Sequence, residues 1–239
     1  MRCIFLFNEK KEMVKMWEIV GLVGVVILVL AIEYKYNEGV KEMKNDIDIQ
    51  KLKTVASYNR CFTEFYEEFF KELQKYRKNY KEIFTIGVVE SSLNKYALGD
   101  SNYSIGYFQI STWRGEHDDK NSTVDILLNR LVDSIMFTKE QRTQEILKSR
   151  KGDKTSKLFY TYVQFAMVNE YIEMAKSELR LAGIEYKPEY LAFLYNAGLG
   201  NLKGEKGEYI TKEEFEERLN IWKGRYNYYQ KFNRVYNMI

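Results

Sequence analysis

Glu90 is the carboxylate in this sequence whose neighbours are least like water. It follows Ile86, Val88 and Val89, precedes Leu93, and stands one residue from the core-facing positions of an apolar helical pattern. Directly after it comes a stretch rich in Gly, Ser, Asn and Asp, so the side chain is expected half-buried at the lip of a cleft. A carboxyl group in that setting is penalised in its charged form, and its pKa rises toward the range useful for protonating a leaving oxygen near neutral pH. A solvated glutamate at a helix end is the alternative reading. Asp100, Glu116, Asp118 and Asp119 follow in the sequence. They are candidates for a second acid beside it, or else solvated loop charges.

Other chemistries are poorly supplied. Cys3, Cys61 and His117 are the only cysteines and histidine; they cannot assemble a zinc site or a disulfide framework, so no metal and no cofactor is expected. A Ser or Cys triad has only His117 to serve as its base, and there is no nucleophile elbow. The 37 Lys and Arg residues are matched by 34 Asp and Glu, for a net charge of +3. These charges alternate along the chain in the manner of solvated helix faces, which argues against a nucleic-acid partner.

Two ordered motifs narrow the chemistry. The stretch Glu90 to Ile110, ESSLNKYALGDSNYSIGYFQI, resembles the first motif of the soluble lytic transglycosylase family, with matching positions at Glu90, Ser91, Asn94, Ala97, Gly106, Gln109 and Ile110. LYNAGLG, from Leu194 to Gly200, resembles a second motif of that family at Tyr195, Asn196, Ala197, Gly198 and Gly200. Lys95 stands where proline is usual, Tyr107 and Phe108 replace a frequent Leu and Met, and Gly99 occupies a common serine position. The similarity runs from about Ile83 to Gly200.

The resemblance implies a goose-type lysozyme-like helical fold and cleavage of the β-1,4 bond between N-acetylmuramic acid and N-acetylglucosamine in peptidoglycan without added water. It makes Glu90 both catalytic acid and base, and has Tyr195 hydrogen-bond its carboxyl. It implies that Gln109 contacts the sugar, that Ser91 and Asn196 hold the local backbone beside the substrate, and that Gly106 permits close approach in the groove. Tyr107 joins the substrate-binding set; with Tyr103, Phe108 and Trp113 it is a candidate for stacking on a pyranose face, core packing being the other reading for these aromatics. A hydrolase on the same fold, using an additional acid, is the nearest rival. A non-catalytic wall-binding component of a secretion or phage assembly is another.

The elements that must hold these residues read as all-α. Apolar residues make up 45% of the 239 residues and aromatics 15%, enough for a substantial core, and one proline permits long helices. Helical periodicity predicts one helix face from Leu52 to Leu73, a helix from Glu82 to Leu93 and long helices over Val124 to Leu147 and Leu158 to Leu181. A helix from Glu189 to about Ala197 and a Tyr-rich helix from Lys212 to Met238 complete the set. The region 116–157 reads as a helical insertion within a catalytic domain spanning 52–239.

Upstream, the run Ile19 to Ile32 is uninterruptedly apolar and flanked by Trp17 and Tyr34. With its borders it predicts a membrane-spanning signal anchor over 14–34, behind a short cytoplasmic segment 1–13 and ahead of a polar stalk 35–51. A signal-peptide core and a buried helix of a soluble protein are the alternatives. The anchor places the domain on the outer face of the cytoplasmic membrane, with peptidoglycan strands as partner; the oligomeric state is not legible.

Overall fold

Asp48 starts the first of the described helices by accepting a hydrogen bond from the Lys51 amide at 2.9 Å, which satisfies one of the exposed donors of a helix N-terminus. The computed structural model describes residues 47–61, 63–115, 120–131, 137–225 and 227–239, which form one compact unit, Ile47–Ile239. Among them no helix is long and apolar enough to cross a membrane. The expected anchor 14–34, the segment before it and the stalk up to residue 46 lie outside the described residues, as do Glu116, His117, Asp118 and Asp119.

Helix α1, Ile49–Tyr58, buries Leu52, Val55 and Ala56. Helical structure therefore begins three residues before the expected domain boundary at residue 52. Helix α2, Tyr66–Leu73, buries Phe69, Phe70 and Leu73. The single helix read from Leu52 to Leu73 is thus two, because the chain turns at Arg60, whose φ is 60°, and tucks Cys61 into the core.

Helix α3, Tyr80–Ser91, buries an unbroken run from Glu82 to Val88. It stops where Ser92 and Leu93 turn left-handed, their amides bonding back to the Val88 and Gly87 carbonyls at 3.2 and 3.1 Å. Three two-residue strands follow: β1, Leu98–Gly99; β2, Ser104–Ile105; and β3, Ile110–Ser111. They pair antiparallel in the order β1-β2-β3, with Leu98 opposite Ile105 and Ile105 opposite Ile110. The helical expectation stands for the architecture as a whole, while the stretch read as a folded loop is a miniature sheet, too short for a periodicity of two to register.

The pattern read as one helix from Val124 to Leu147 is α4, Thr123–Arg130, and α5, Lys139–Arg150. Each has its own capping box, Ser122 with Asp125 and Thr138 with Gln141, so a new helix starts where periodicity alone runs on. Helix α6, Thr161–Leu181, packs against α2, α3 and α4. Helix α7, Pro188–Ala197, carries its proline in the first turn, where a missing N–H costs nothing. The Tyr-rich terminal pattern is α8, Lys212–Arg225, and α9, Tyr228–Met238. Helix α9 lies against α3 and α7, which brings the end of the chain to the helix that carries Glu90. The architecture is mostly helical, around a core in which Phe69 meets the rings of Phe70, Phe84, Tyr107, Phe108 and Phe165.

Candidate active site

Glu90 occupies the last turn of α3 and is half-buried. Burial pushes its carboxyl from an ordinary 4.5 up to about 7, a hydrogen bond from Tyr228 pulls the other way, and the charge of Asp100 adds to the rise. Tyr228 Oη donates to Glu90 Oε1 at 2.7 Å. The second carboxyl oxygen, Oε2, makes no hydrogen bond among the described residues.

Two phenols stand near this carboxyl, and a third packs against one of them. Burial drives Tyr228 and Tyr195 well above the usual tyrosine value, and the nearby Glu90 charge drives both further. Burial also raises Tyr171, which packs edge-on against Tyr195 with ring centroids 4.9 Å apart. All three stay protonated, so they are hydrogen-bond donors over any physiological pH. Tyr171 Oη donates to the Leu194 carbonyl at 2.7 Å. Tyr195 Oη donates to the Phe108 carbonyl at 2.6 Å.

That last bond corrects an expectation. Tyr195 was expected to bond the Glu90 carboxyl, and it stands close enough to feel its charge. Its hydroxyl instead satisfies a backbone carbonyl in the turn between β2 and β3, which would otherwise be buried without a partner. The donor to Glu90 is Tyr228 of α9. Sequence reasoning missed it: the terminal helix is recognisable as Tyr-rich, but among the 20 tyrosines of the chain nothing local marks this one.

The two motif segments do come together. The Tyr195–Phe108 bond joins them directly, and Ser91 Oγ donates to the Tyr107 carbonyl at 2.7 Å while accepting from the Asn94 amide at 3.0 Å. Ser91 thus fastens the end of α3 to the turn after β2. Gln109 is also tied inward: its Nε2 donates to the carbonyls of Ala97 and Gly106 at 3.2 and 3.0 Å, and its own φ is 48°. Its amide nitrogen braces the sheet, which leaves it poorly placed for the expected sugar contact.

Gly106 has φ +76°, and a Cβ there would lie 2.0 Å from Gln164 Oε1. What approaches this glycine is a buried side chain of α6, not open groove, so its expected role in the groove is corrected to one of packing. Tyr107, expected among the substrate contacts, is fully buried against Phe69 and Phe165 and cannot touch a ligand. Phe108 is buried too. Tyr103 and Trp113 are 38% and 49% exposed, which leaves these two, of the four aromatics considered for sugar stacking, open to solvent.

Asn196 is exposed, and its Oδ1 accepts from Trp222 Nε1 at 2.9 Å, linking α7 to α8. Both residues line a cavity of about 520 Å³ together with Ala197, Asn201, Ile221 and Arg225. The Trp222 ring lies 6.1 Å from that of Tyr228, so this cavity adjoins the residue that holds Glu90.

The turn between β1 and β2 is held in an uncommon form. Asp100, Ser101 and Asn102 have φ of 47°, 56° and 73°, three consecutive left-handed residues without a glycine. Asp and Asn tolerate this region, but Ser101 does so at a cost of about 1 kcal/mol or more. The turn keeps Asp100 within electrostatic reach of Glu90, with Ser104 Oγ donating to its carboxylate.

Among the described residues no three His, Cys, Asp or Glu side chains group as a metal site. In comparison with known proteins, the chain matches no family model, no curated protein and no solved structure.

Proposed function

We propose that this chain is a peptidoglycan lytic transglycosylase of lysozyme-like fold, with Glu90 as its single acid and base. The observation that carries this reading is the Glu90 carboxyl itself: half-buried, raised to about 7, one oxygen held by Tyr228 and the other without a hydrogen bond among the described residues. A carboxyl with a pKa of about 7 is still partly protonated near neutral pH and can give its proton to the glycosidic oxygen as the C1–O bond breaks. The resulting carboxylate then takes the proton of the muramoyl C6 hydroxyl while that oxygen bonds to C1. A 1,6-anhydro end forms, the acid is regenerated, and no water is consumed. The Tyr228 hydroxyl stabilises Glu90 in the charged interval between the two proton transfers.

The juxtaposition of the two motif segments supports the same reading, as does the cavity beside Tyr228, whose wall includes the exposed Asn196. In this proposal the apolar segment 14–34 anchors the domain at the outer face of the cytoplasmic membrane, within reach of the glycan strands. A second reading, hydrolysis on the same scaffold, is favoured by one observation: Asp100 lies near enough to influence Glu90. It is a carboxylate of the kind that activates a water on the opposite face of a sugar.

Digestion of purified sacculi by the full chain, followed by mass spectrometry of the fragments, tests both. Anhydro-ended muropeptides are expected. Reducing ends alone would replace the transglycosylase with the hydrolase, and intact sacculi would remove the enzyme reading altogether.

A further inference from the structure

Tyr103 is an aromatic side chain that the fold holds in place and leaves open. It stands on the turn that keeps Asp100 within electrostatic reach of Glu90, and its amide donates to the Asp100 carbonyl at 3.2 Å. Its own carbonyl accepts twice from Thr112, from the amide at 2.6 Å and from Oγ1 at 2.8 Å. Thr112 is fully buried and is held in turn by Arg150, the last residue of α5. Arg150 donates through Nε to Thr112 Oγ1 at 3.2 Å and through Nη2 to the Thr112 carbonyl.

The same guanidinium lies over the Tyr103 ring, its carbon 4.9 Å from the ring centroid. Arginine stacked on an aromatic face fixes the ring as well as the guanidinium. The ring is therefore backed by a side chain that is itself tied to the sheet, yet Tyr103 stays 38% exposed and its hydroxyl makes no hydrogen bond among the described residues. Core packing does not account for it: Tyr107 and Phe108, on the same sheet, are fully buried where Tyr103 is open. Trp113 is more exposed still, but it has no ring or cation contact among the described residues to hold it.

We propose that the Tyr103 ring is a stacking platform for an N-acetylated pyranose of the glycan, with Arg150 as the positioning residue behind it. A pyranose carries C–H groups on its faces and hydroxyls around its rim, so it covers an aromatic ring while its polar groups stay hydrated. A ring fixed beforehand gives up little freedom when the sugar arrives, which raises affinity. The proposal rests on a glycan being the substrate of Glu90. It adds a contact away from the reacting atoms, one that strengthens binding without entering the proton transfers.

Isothermal titration with chitotetraose, an oligomer of N-acetylglucosamine, tests this on the full chain carrying Glu90→Gln and kept in a polyoxyethylene detergent, so that nothing is cleaved during the measurement. Saturable binding is expected. Tyr103→Ala should weaken it about tenfold or more, and Tyr103→Phe, which keeps the ring, should stay within about threefold of the unsubstituted Tyr103 chain. Arg150→Ala should weaken binding too, but should add little in a chain already lacking the ring, because Arg150 acts through Tyr103; a loss from general damage to the fold would add in full. No saturable binding, or Tyr103→Ala with undiminished affinity, overturns the proposal. Sacculus digestion keeps the two claims apart. Equal KM and kcat in the parent and Tyr103→Ala removes the platform and leaves the enzyme, whereas intact sacculi together with ring-dependent chitotetraose binding keeps the platform and removes the enzyme.

Discussion

The Tyr228 hydroxyl and the Glu90 carboxyl are 138 residues apart in the chain and 2.7 Å apart in the fold. Donation from a phenol favours the charged carboxylate, so this bond restrains a pKa that burial has pushed upward. In Tyr228→Phe the restraint is gone and the Glu90 pKa climbs above its present value of about 7. An acid catalyst works while protonated, so the alkaline limb of kcat/KM against pH should move to higher pH. Meanwhile kcat should drop about tenfold, because the carboxylate formed after the first proton transfer has lost its donor. Sacculus clearance measured across pH checks both; a limb that stays put or moves down shows that Tyr228 does not set the acid.

Glu90→Gln should abolish clearance, a loss of about a thousandfold or more. It also separates chemistry from stability. The folded pKa of Glu90 lies above the ordinary 4.5, so the protonated form is the one that the fold prefers. The stability this confers is whole below pH 4.5 and is lost as the pH rises through about 7, on the order of 3 kcal/mol across that window. A neutral glutamine does not suffer the loss. Urea unfolding should find Glu90→Gln close to the parent at pH 4 and more stable than it at pH 8.

Asp100→Asn tests the second carboxylate. Removing its charge relieves a repulsion, so the Glu90 pKa should fall and the alkaline limb should move to lower pH. Under the transglycosylase reading the variant still releases anhydro-ended fragments, within about tenfold of the parent rate. Loss of all products together with reducing ends in the parent digest assigns Asp100 the role of a water-activating base.

What was legible in the sequence follows from what each signal depends on. Helix α6 is long, buried on a wide face and closed by Gly183, so periodicity and a cap agree and its end at Leu181 was readable to the residue, while its start lies three residues after the expected Leu158. The breaks inside the patterns ending at Leu73, Leu147 and Met238 were not, because apolar spacing survives a short turn while the backbone does not. The miniature sheet was hidden since its pairing, such as Ile105 with Ile110, lies within a few residues and leaves no alternation to count. At the site, Glu90 was legible because a carboxylate inside an apolar run contradicts its surroundings. Tyr228 was not, because its importance comes entirely from α9 folding back on α3, a contact between distant segments. Tyr107 was misread for the opposite reason: an aromatic beside a glycine looks the same in sequence whether it lines a groove or fills the core.

Gly106→Ala should cost stability and leave the acid unchanged. The residue has φ +76°, and a methyl group there would meet Gln164 Oε1 at 2.0 Å. Gln164 cannot yield freely. Its Oε1 accepts from the Tyr107 amide at 2.6 Å, and its Nε2 donates to the carbonyls of Lys95 and Phe159 at 3.2 and 3.1 Å. Displacing it leaves buried backbone groups without partners, each worth about 1–3 kcal/mol, in addition to about 1 kcal/mol for the left-handed alanine. The sum is about 3 kcal/mol or more, a drop of roughly 10 °C in melting temperature for a unit of this size. Glu90 touches none of these groups, so the pH of half-maximal activity should match the parent in protein that remains folded. A melting temperature equal to the parent's would mean that Gln164 has another place to go, and that the glycine is kept for the groove after all.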